Sequence, residues 1–141
     1  MAYLFDTDAI SEVFKSKPLS DYIRWLSGVP RADQFTSAVV IGELYKGAFR
    51  STNRELHLQN IETRVLQALT VLPYEIEAAR VYGEIEAALA QKRQMLADAD
   101  LQIAATAIVH GLELVTGNVK HFSRIRALRI HPILANFCFQ S

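Results

Sequence analysis

The residues best placed to do chemistry are the acids of two short stretches: Asp6-Thr7-Asp8, and Asp98-Ala99-Asp100 just ahead of Leu101-Gln102-Ile103-Ala104-Ala105-Thr106. On a helix running from the second stretch to His110, Ala104, Ala107, Ile108 and Gly111 share one face, and Asp100 falls among them. Asp98 lies about 200° away at 3.6 residues per turn, on the side of Gln102, Thr106 and His110. A carboxylate on an apolar face is too costly to keep ionised alone, and no Lys or Arg follows Asp100 by three or four residues. A metal, a cap or a proton is left as its partner. Asp98 reads as the N-cap of that helix, and Asp6 or Asp8 could cap a helix after the first strand. Glu43 stands at the margin of another apolar face, beside Val40 and Gly47.

These acids must be positioned by short strands and the helices between them. Ala2–Phe5 reads as a buried strand ending at the first acid pair, followed by a helix over Thr7–Lys15 and another from Pro18 to about Ser27. Gln34–Ser37 is a second strand, and Ser37 is an N-cap for a helix carrying Val40, Ile41, Leu44, Tyr45, Ala48 and Phe49. Asn53 is placed to cap a helix through Leu56, Ile61, Val65 and Leu69, and Thr70–Leu72 is a third strand stopped by Pro73. A long amphipathic helix follows from Glu75 to about Arg93, then the helix of the second acid stretch, closed by Gly111. Leu112–Thr116 is a fourth strand ending in Thr116-Gly117-Asn118, Lys120–Ile125 a short turn or helix, and Leu128–Ile130 a last strand before an apolar tail (Ile133, Leu134, Phe137, Phe139).

Apolar strands alternating with helices specify an α/β fold with a parallel sheet covered on both faces. Sites in such sheets lie at the carboxyl ends of the strands. Asp6, Asp8, Thr116 and Asn118 follow strand ends, and Asp100 and Glu43 belong to early helix turns that could open at the same edge. Carboxylates crowded together repel and raise one another's pKa unless a cation sits between them. Oxygen ligands alone, with one Cys and four scattered His, point to Mg²⁺ or Mn²⁺. The isolated glycines form no phosphate-binding loop, and no Ser-His-Asp arrangement is visible. Lys120, His121, Arg124, Arg126 and Arg129 make a basic segment that, near a metal site, could hold a nucleic-acid backbone.

Fifteen basic residues balance fifteen acidic ones over 141 residues, which argues against strong non-specific polyanion binding. The single Cys138 excludes an intrachain disulfide and a multi-cysteine zinc site. One domain over residues 1–141 is expected, with no linker or repeat. No apolar run approaches a membrane span and the start lacks a signal-peptide pattern, so the expected compartment is the cytoplasm.

Four motifs in order resemble those of PIN domains, over nearly the whole chain. They are Phe5-Asp6-Thr7-Asp8-Ala9-Ile10-Ser11, Ser37-Ala38-Val39-Val40-Ile41-Gly42-Glu43-Leu44-Tyr45-Lys46-Gly47-Ala48, Asp98-Ala99-Asp100-Leu101-Gln102-Ile103-Ala104-Ala105-Thr106-Ala107, and Leu114-Val115-Thr116-Gly117-Asn118-Val119-Lys120-His121-Phe122. A closing segment, Ile125–Ile130, follows. The resemblance is closest to the VapC-type toxins of prokaryotic toxin–antitoxin pairs. It implies a PIN-like three-layer α/β/α fold with four to five short parallel strands, and an endoribonuclease dependent on Mg²⁺ or Mn²⁺. Carried over residue by residue, Asp6, Glu43 and Asp100 would be metal ligands, and Asn118 would stand where some members carry a fourth acid. Thr7, Asp8, Asp98 and Thr116 would support them, and Lys120 and Arg124 would contact RNA. Many relatives have Asn at the position of Asp8. The resemblance also implies a homodimer and a VapB-type antitoxin, for which Phe14, Tyr22, Trp25 and the Phe137–Phe139 tail are candidate surfaces.

Two rival readings stand beside this one. The opening acids also resemble those of haloacid-dehalogenase-type phosphatases, with Asp6 as nucleophile and Asp8 as general acid/base. The chain could otherwise be an inactive partner-binding module whose acids are caps.

Overall fold

Four short runs become the strands of one parallel sheet: β1 (Tyr3–Phe5), β2 (Gln34–Ser37), β3 (Thr70–Leu72) and β4 (Glu113–Val115), in the order β3-β2-β1-β4. The structure is a computed structural model and describes residues 1–135, so Phe137 and Phe139 of the expected apolar tail lie outside the described residues. Parallel neighbours cannot be joined by tight turns, so helices fill every connection and cover the sheet's faces. α1 (Thr7–Val13) and α2 (Ser20–Ser27) link β1 to β2. α3 (Ala38–Arg50), α4 (Arg54–Asn60), a π-helical turn (Ile61–Val65) and α5 (Leu66–Ala68) lead to β3. α6 (Ile76–Gln91) and α7 (Asp98–Val109) return the chain to β4, and α8 (Val119–Phe122) follows it.

This order contains a reversal of direction. The chain steps outward from β1 through β2 to β3, then crosses back to lay β4 on the other side of β1. The crevice at the carboxyl ends of β1 and β4 is therefore the topological switch point, the usual ligand position in open α/β sheets. The register aligns those ends, with Phe5 opposite Val115 and Ser37 opposite Leu72.

Several boundaries differ from expectation, each for a local reason. The last strand shrinks to one parallel bridge, in which Leu114 N–H donates to Arg129 and its carbonyl accepts from His131 before Pro132 turns the chain away. The helix expected to run to Leu69 passes through the π turn, which sets both Ile61 and Val65 in the core, and Leu69 is already extended. Ser37 does cap α3, accepting from Val40 N–H at 3.1 Å, whereas Asn53 makes no side-chain cap. Phe49 and Leu56, assigned to apolar helix faces, are exposed, as is Ile76.

The α7 helix shows the largest departure. Its apolar character is not one stripe: Leu101, Ile103, Ala104, Ala105, Thr106 and Ala107 are all buried, and the Thr106 hydroxyl is satisfied by the Gln102 carbonyl at 2.9 Å. Small side chains let α7 approach α6, α3 and the sheet together, so the polar side assumed for Thr106 is itself covered. The aromatics considered for partner surfaces also pack inward. Tyr22 is fully buried with its O–H donating to the Ala9 carbonyl, Trp25 stands edge-on to Tyr3 at 5.1 Å, and Phe14 lies under the Arg64 guanidinium. Among the described residues no helix is long and apolar enough to cross a membrane.

Candidate active site

The register that pairs Phe5 with Val115 brings the next residues, Asp6 and Thr116, side by side at the switch point. Asp6 N–H donates to the Val115 carbonyl at 3.2 Å. The Asp6 side chain caps α1, accepting from Ala9 N–H at 2.9 Å, so the capping alternative and the placement at the sheet edge hold for the same residue. It is only 5% exposed. Burial pushes its pKa up to about 7; hydrogen bonds from Thr116 and Ala9 work against this, and the nearby charges of Asp8 and Asp100 add to it. Thr116 is itself oriented: its Oγ1 accepts from Asn118 N–H at 2.9 Å, which leaves its proton for the Asp6 carboxylate.

Three further carboxylates share the same field. Glu43 reaches over from the early turns of α3, and Thr7 on α1 donates its hydroxyl to Glu43 Oε1 at 2.6 Å. Burial, then the Glu43 charge, raise the Asp8 pKa, opposed by Lys15. Asp100, in the first turn of α7, is raised by burial and then by Glu43 and Asp8, with His121 opposing. Four acids from α1, α3, α7 and the β1 end thus act on one another. Asp100 was expected to have only a metal, a cap or a proton as its partner; instead His121 stands close enough to offset it, as Lys15 does for Asp8.

Asp98 does not join them. Ala97 is the N-cap position of α7 and makes no side-chain bond, while the exposed Asp98 accepts from the Tyr82 hydroxyl on α6 at 2.8 Å. With Ala97 extended and helical geometry beginning at residue 98, Asp98 Oδ1 serves a neighbouring helix rather than its own. Asn118 opens α8 without a side-chain cap, its backbone engaged with Thr116 and Phe122. Lys120 is exposed at the same turn, and Arg124 reaches back to the Met95 carbonyl at 3.4 Å.

One acid escaped the sequence reading. Glu12 is 2% exposed; its Oε2 accepts from Leu19 N–H at 2.9 Å and its Oε1 lies 2.7 Å from Lys15 Nζ, a contact ionic in character without hydrogen-bond alignment. The signal was its position three residues after Ala9, on the face of α1 that the core claims. Removing one partner of so buried a charge is costly, so Glu12 holds Lys15 beside Asp8.

Chemically, Asp6, Glu43 and Asp100 are oxygen donors whose ionised forms a cation would favour, and Asp6 with its raised pKa gains most. Among the described residues no three His, Cys, Asp or Glu side chains form a ready-made metal cage. Carboxylate oxygens are the donor type that hard divalent cations take.

The model of the PIN domain family matches residues 3–128 of the chain. The chain is 33% identical over 129 residues to the ribonuclease VapC2 of Haemophilus influenzae, covering 92% of this chain and 96% of that protein. It is 32% identical over 130 residues, with the same coverage, to the tRNA(fMet)-specific endonuclease VapC of Salmonella typhimurium. Among solved structures, the DNA-bound VapBC of Salmonella typhimurium superposes with a TM-score of 0.84 at 32% identity, covering 93% of this chain and 97% of that one.

Proposed function

Because this chain belongs to the PIN domain family, we propose that it is a metal-dependent endoribonuclease and the toxin of a toxin–antitoxin pair, with Asp6, Glu43 and Asp100 at its centre. The observation that carries this reading is the buried Asp6, its pKa raised to about 7 at the switch point, in the shared field of Asp8, Glu43 and Asp100. Names such as ribonuclease VapC among its relatives support RNA as substrate, and VapBC complexes among similar structures support a VapB-type antitoxin as partner. A homodimer is part of the same proposal. Family membership sets aside the phosphatase alternative.

Asp6, Glu43 and Asp100 would hold Mg²⁺ or Mn²⁺. When bound, the metal supplies Lewis-acid charge at the phosphodiester and lowers the pKa of a coordinated water. The chain's own residues set the stage for that chemistry. Thr7 locks the Glu43 carboxylate by the 2.6 Å bond, and Asn118 N–H donates to Thr116, whose hydroxyl donates to Asp6, which aims Asp6 and favours its ionised form. Asp8 adds negative charge that strengthens the pull on a cation, moderated by Lys15. Lys120 and Arg124, on the segment after the Asn118 turn, would take RNA phosphates.

Cleavage of a fluorogenic single-stranded RNA by antitoxin-free protein, with Mg²⁺, Mn²⁺ or EDTA, tests this. Asp100→Asn should abolish metal-dependent cleavage, exceeding the roughly 10–100-fold cost of losing an outer-shell partner. Cleavage that survives the substitution rejects the assigned site. Absence of both cleavage and metal binding in the wild type favours the partner-binding module.

A further inference from the structure

The C-terminal end of α6 carries an arginine where its geometry favours glycine. Lys92 closes the helix, Arg93 N–H donates to the Ala90 carbonyl and Gln94 N–H to the Leu89 carbonyl, the paired bonds of a Schellman ending. The residue after the cap takes the left-handed conformation in that ending, and Arg93 stands there at φ 56°. The backbone therefore gains nothing from an arginine at this position. Both Lys92 and Arg93 are exposed.

Lys92 also borders a groove that the acids do not use. About 190 Å³ in volume, it lies between α6 and the segment after α8, with Ile85 and Ile125 on its apolar side and Lys92, Arg124 and Arg126 as its cations. Glu84 is the acid of its lining, and its Oε1 lies 3.5 Å from Arg80 Nε. Lys92 and Arg126 are exposed, and neither joins an ion pair among the described residues. Fifteen bases cancel fifteen acids over the chain, so three cations against one acid, itself beside an arginine, is a local excess. Such an excess attracts a polyanion. The volume falls below the roughly 300–1,000 Å³ of small-molecule sites, so the groove takes part of a longer molecule rather than enclosing a small one.

The groove continues from the acid crevice along α8. His121 stands near enough to Asp100 to favour its ionised form, and the His121 carbonyl accepts from Arg124 N–H at 3.2 Å. Arg124 Nη1 donates in turn to the Met95 carbonyl at 3.4 Å, just ahead of α7, while Phe122 and Ile125 bury their side chains and fix the turn to the core. One short turn thus joins the surroundings of Asp100 to the groove. We propose that Lys92 and Arg126 form an RNA-backbone exosite, which holds phosphates of the strand beyond the scissile one. The inference rests on the nuclease reading and deepens it. Lysine and arginine on phosphates supply affinity and position without reading sequence, so the exosite favours long strands over short ones whatever their bases.

The test uses antitoxin-free protein, Mg²⁺ and two fluorogenic single-stranded RNAs that share a cut site, one ending beside the cut and one running well past it on both sides. Thermal melting of each variant establishes that it is folded. Lys92→Gln combined with Arg126→Gln should raise KM on the long RNA by roughly 10–30-fold at about 0.1 M salt, with kcat retained. The slope of log KM against log salt should fall by about 1.4, as for two phosphate contacts on a single strand. KM on the short RNA should stay as in the wild type. Lys92→Arg combined with Arg126→Lys, which keeps both charges, should behave as wild type on either RNA. An equal change on both RNAs, no change on either, or a wild type that handles the two alike overturns the exosite and leaves the nuclease standing. A fall in kcat in place of the rise in KM overturns it as well. Loss of antitoxin binding with unaltered cleavage assigns the groove to the protein partner and likewise overturns it. A wild type that cuts neither RNA overturns the nuclease reading and this inference with it.

Discussion

At the residue scale, Asp6 carries the sharpest consequence. Its folded-state pKa of about 7 lies above the ordinary carboxylate value of 3.8, so between those values the folded protein holds a proton that the unfolded chain releases. Stability from this group is therefore full at pH below about 4 and falls as pH rises through 7, by on the order of 4 kcal/mol for a group so buried. Metal-free protein should melt at lower temperature at pH 7.5 than at pH 5, and Asp6→Asn should flatten that slope. A melting series that rises across this window in the wild type counts against the assignment. Thr7 donates its hydroxyl to Glu43, so Thr7→Val should cut metal-dependent cleavage by roughly 10–100-fold while the fold persists. The types and spacing of Asp6, Glu43 and Asp100 were readable from the chain. The offsets from Lys15 and His121, and the burial of Glu12, were not, because they depend on how α1 and α8 pack.

At the scale of elements, α7 is the part whose burial was underestimated. Periodicity assigned it one apolar face, yet Leu101 and Ile103 are buried along with the alanines between α6, α3 and the sheet. Leu101→Ala should cost about 2–5 kcal/mol, the range for a large-to-small change in a packed core, measured by denaturant unfolding. Loss at the low end would mean that the neighbouring helices collapse onto the space. By contrast, the bond from Tyr82 to Asp98 that ties α6 to α7 is exposed. Tyr82→Phe should leave the melting temperature nearly unchanged and cleavage intact, which separates Asp98 from the acids at the switch point.

Across the whole molecule, the reversal of strand order makes one crevice out of residues far apart in the chain. Asp6, Glu43, Asp100 and Thr116 come from four segments: Asp6 and Thr116 follow strand ends, Asp100 stands in the first turn of α7, and Glu43 projects from the second turn of α3. A cation bound there stabilises the folded state by mass action, about 2.7 kcal/mol at a hundred times its Kd. Protons compete for Asp6 below pH 7, so Mg²⁺ should raise the melting temperature more at pH 8 than at pH 5.5. Equal shifts at both pH values, or an undiminished shift in Asp6→Asn, would place the cation elsewhere.

Local chemistry by itself determined the alternation of strands and helices, the Ser37 cap, the closing Gly111 at φ 65°, and the acids that follow strand ends. Each of these follows from side-chain type over a few residues, where apolar runs, hydroxyl acceptors and a missing Cβ leave few choices. Tertiary structure decided the rest. Strand order and register brought Asp6 against Thr116, the packing of α6 turned Asp98 toward Tyr82, and the π turn set Ile61 and Val65 in the core. Those outcomes depend on which surfaces meet across dozens of intervening residues, and no local pattern encodes that distance.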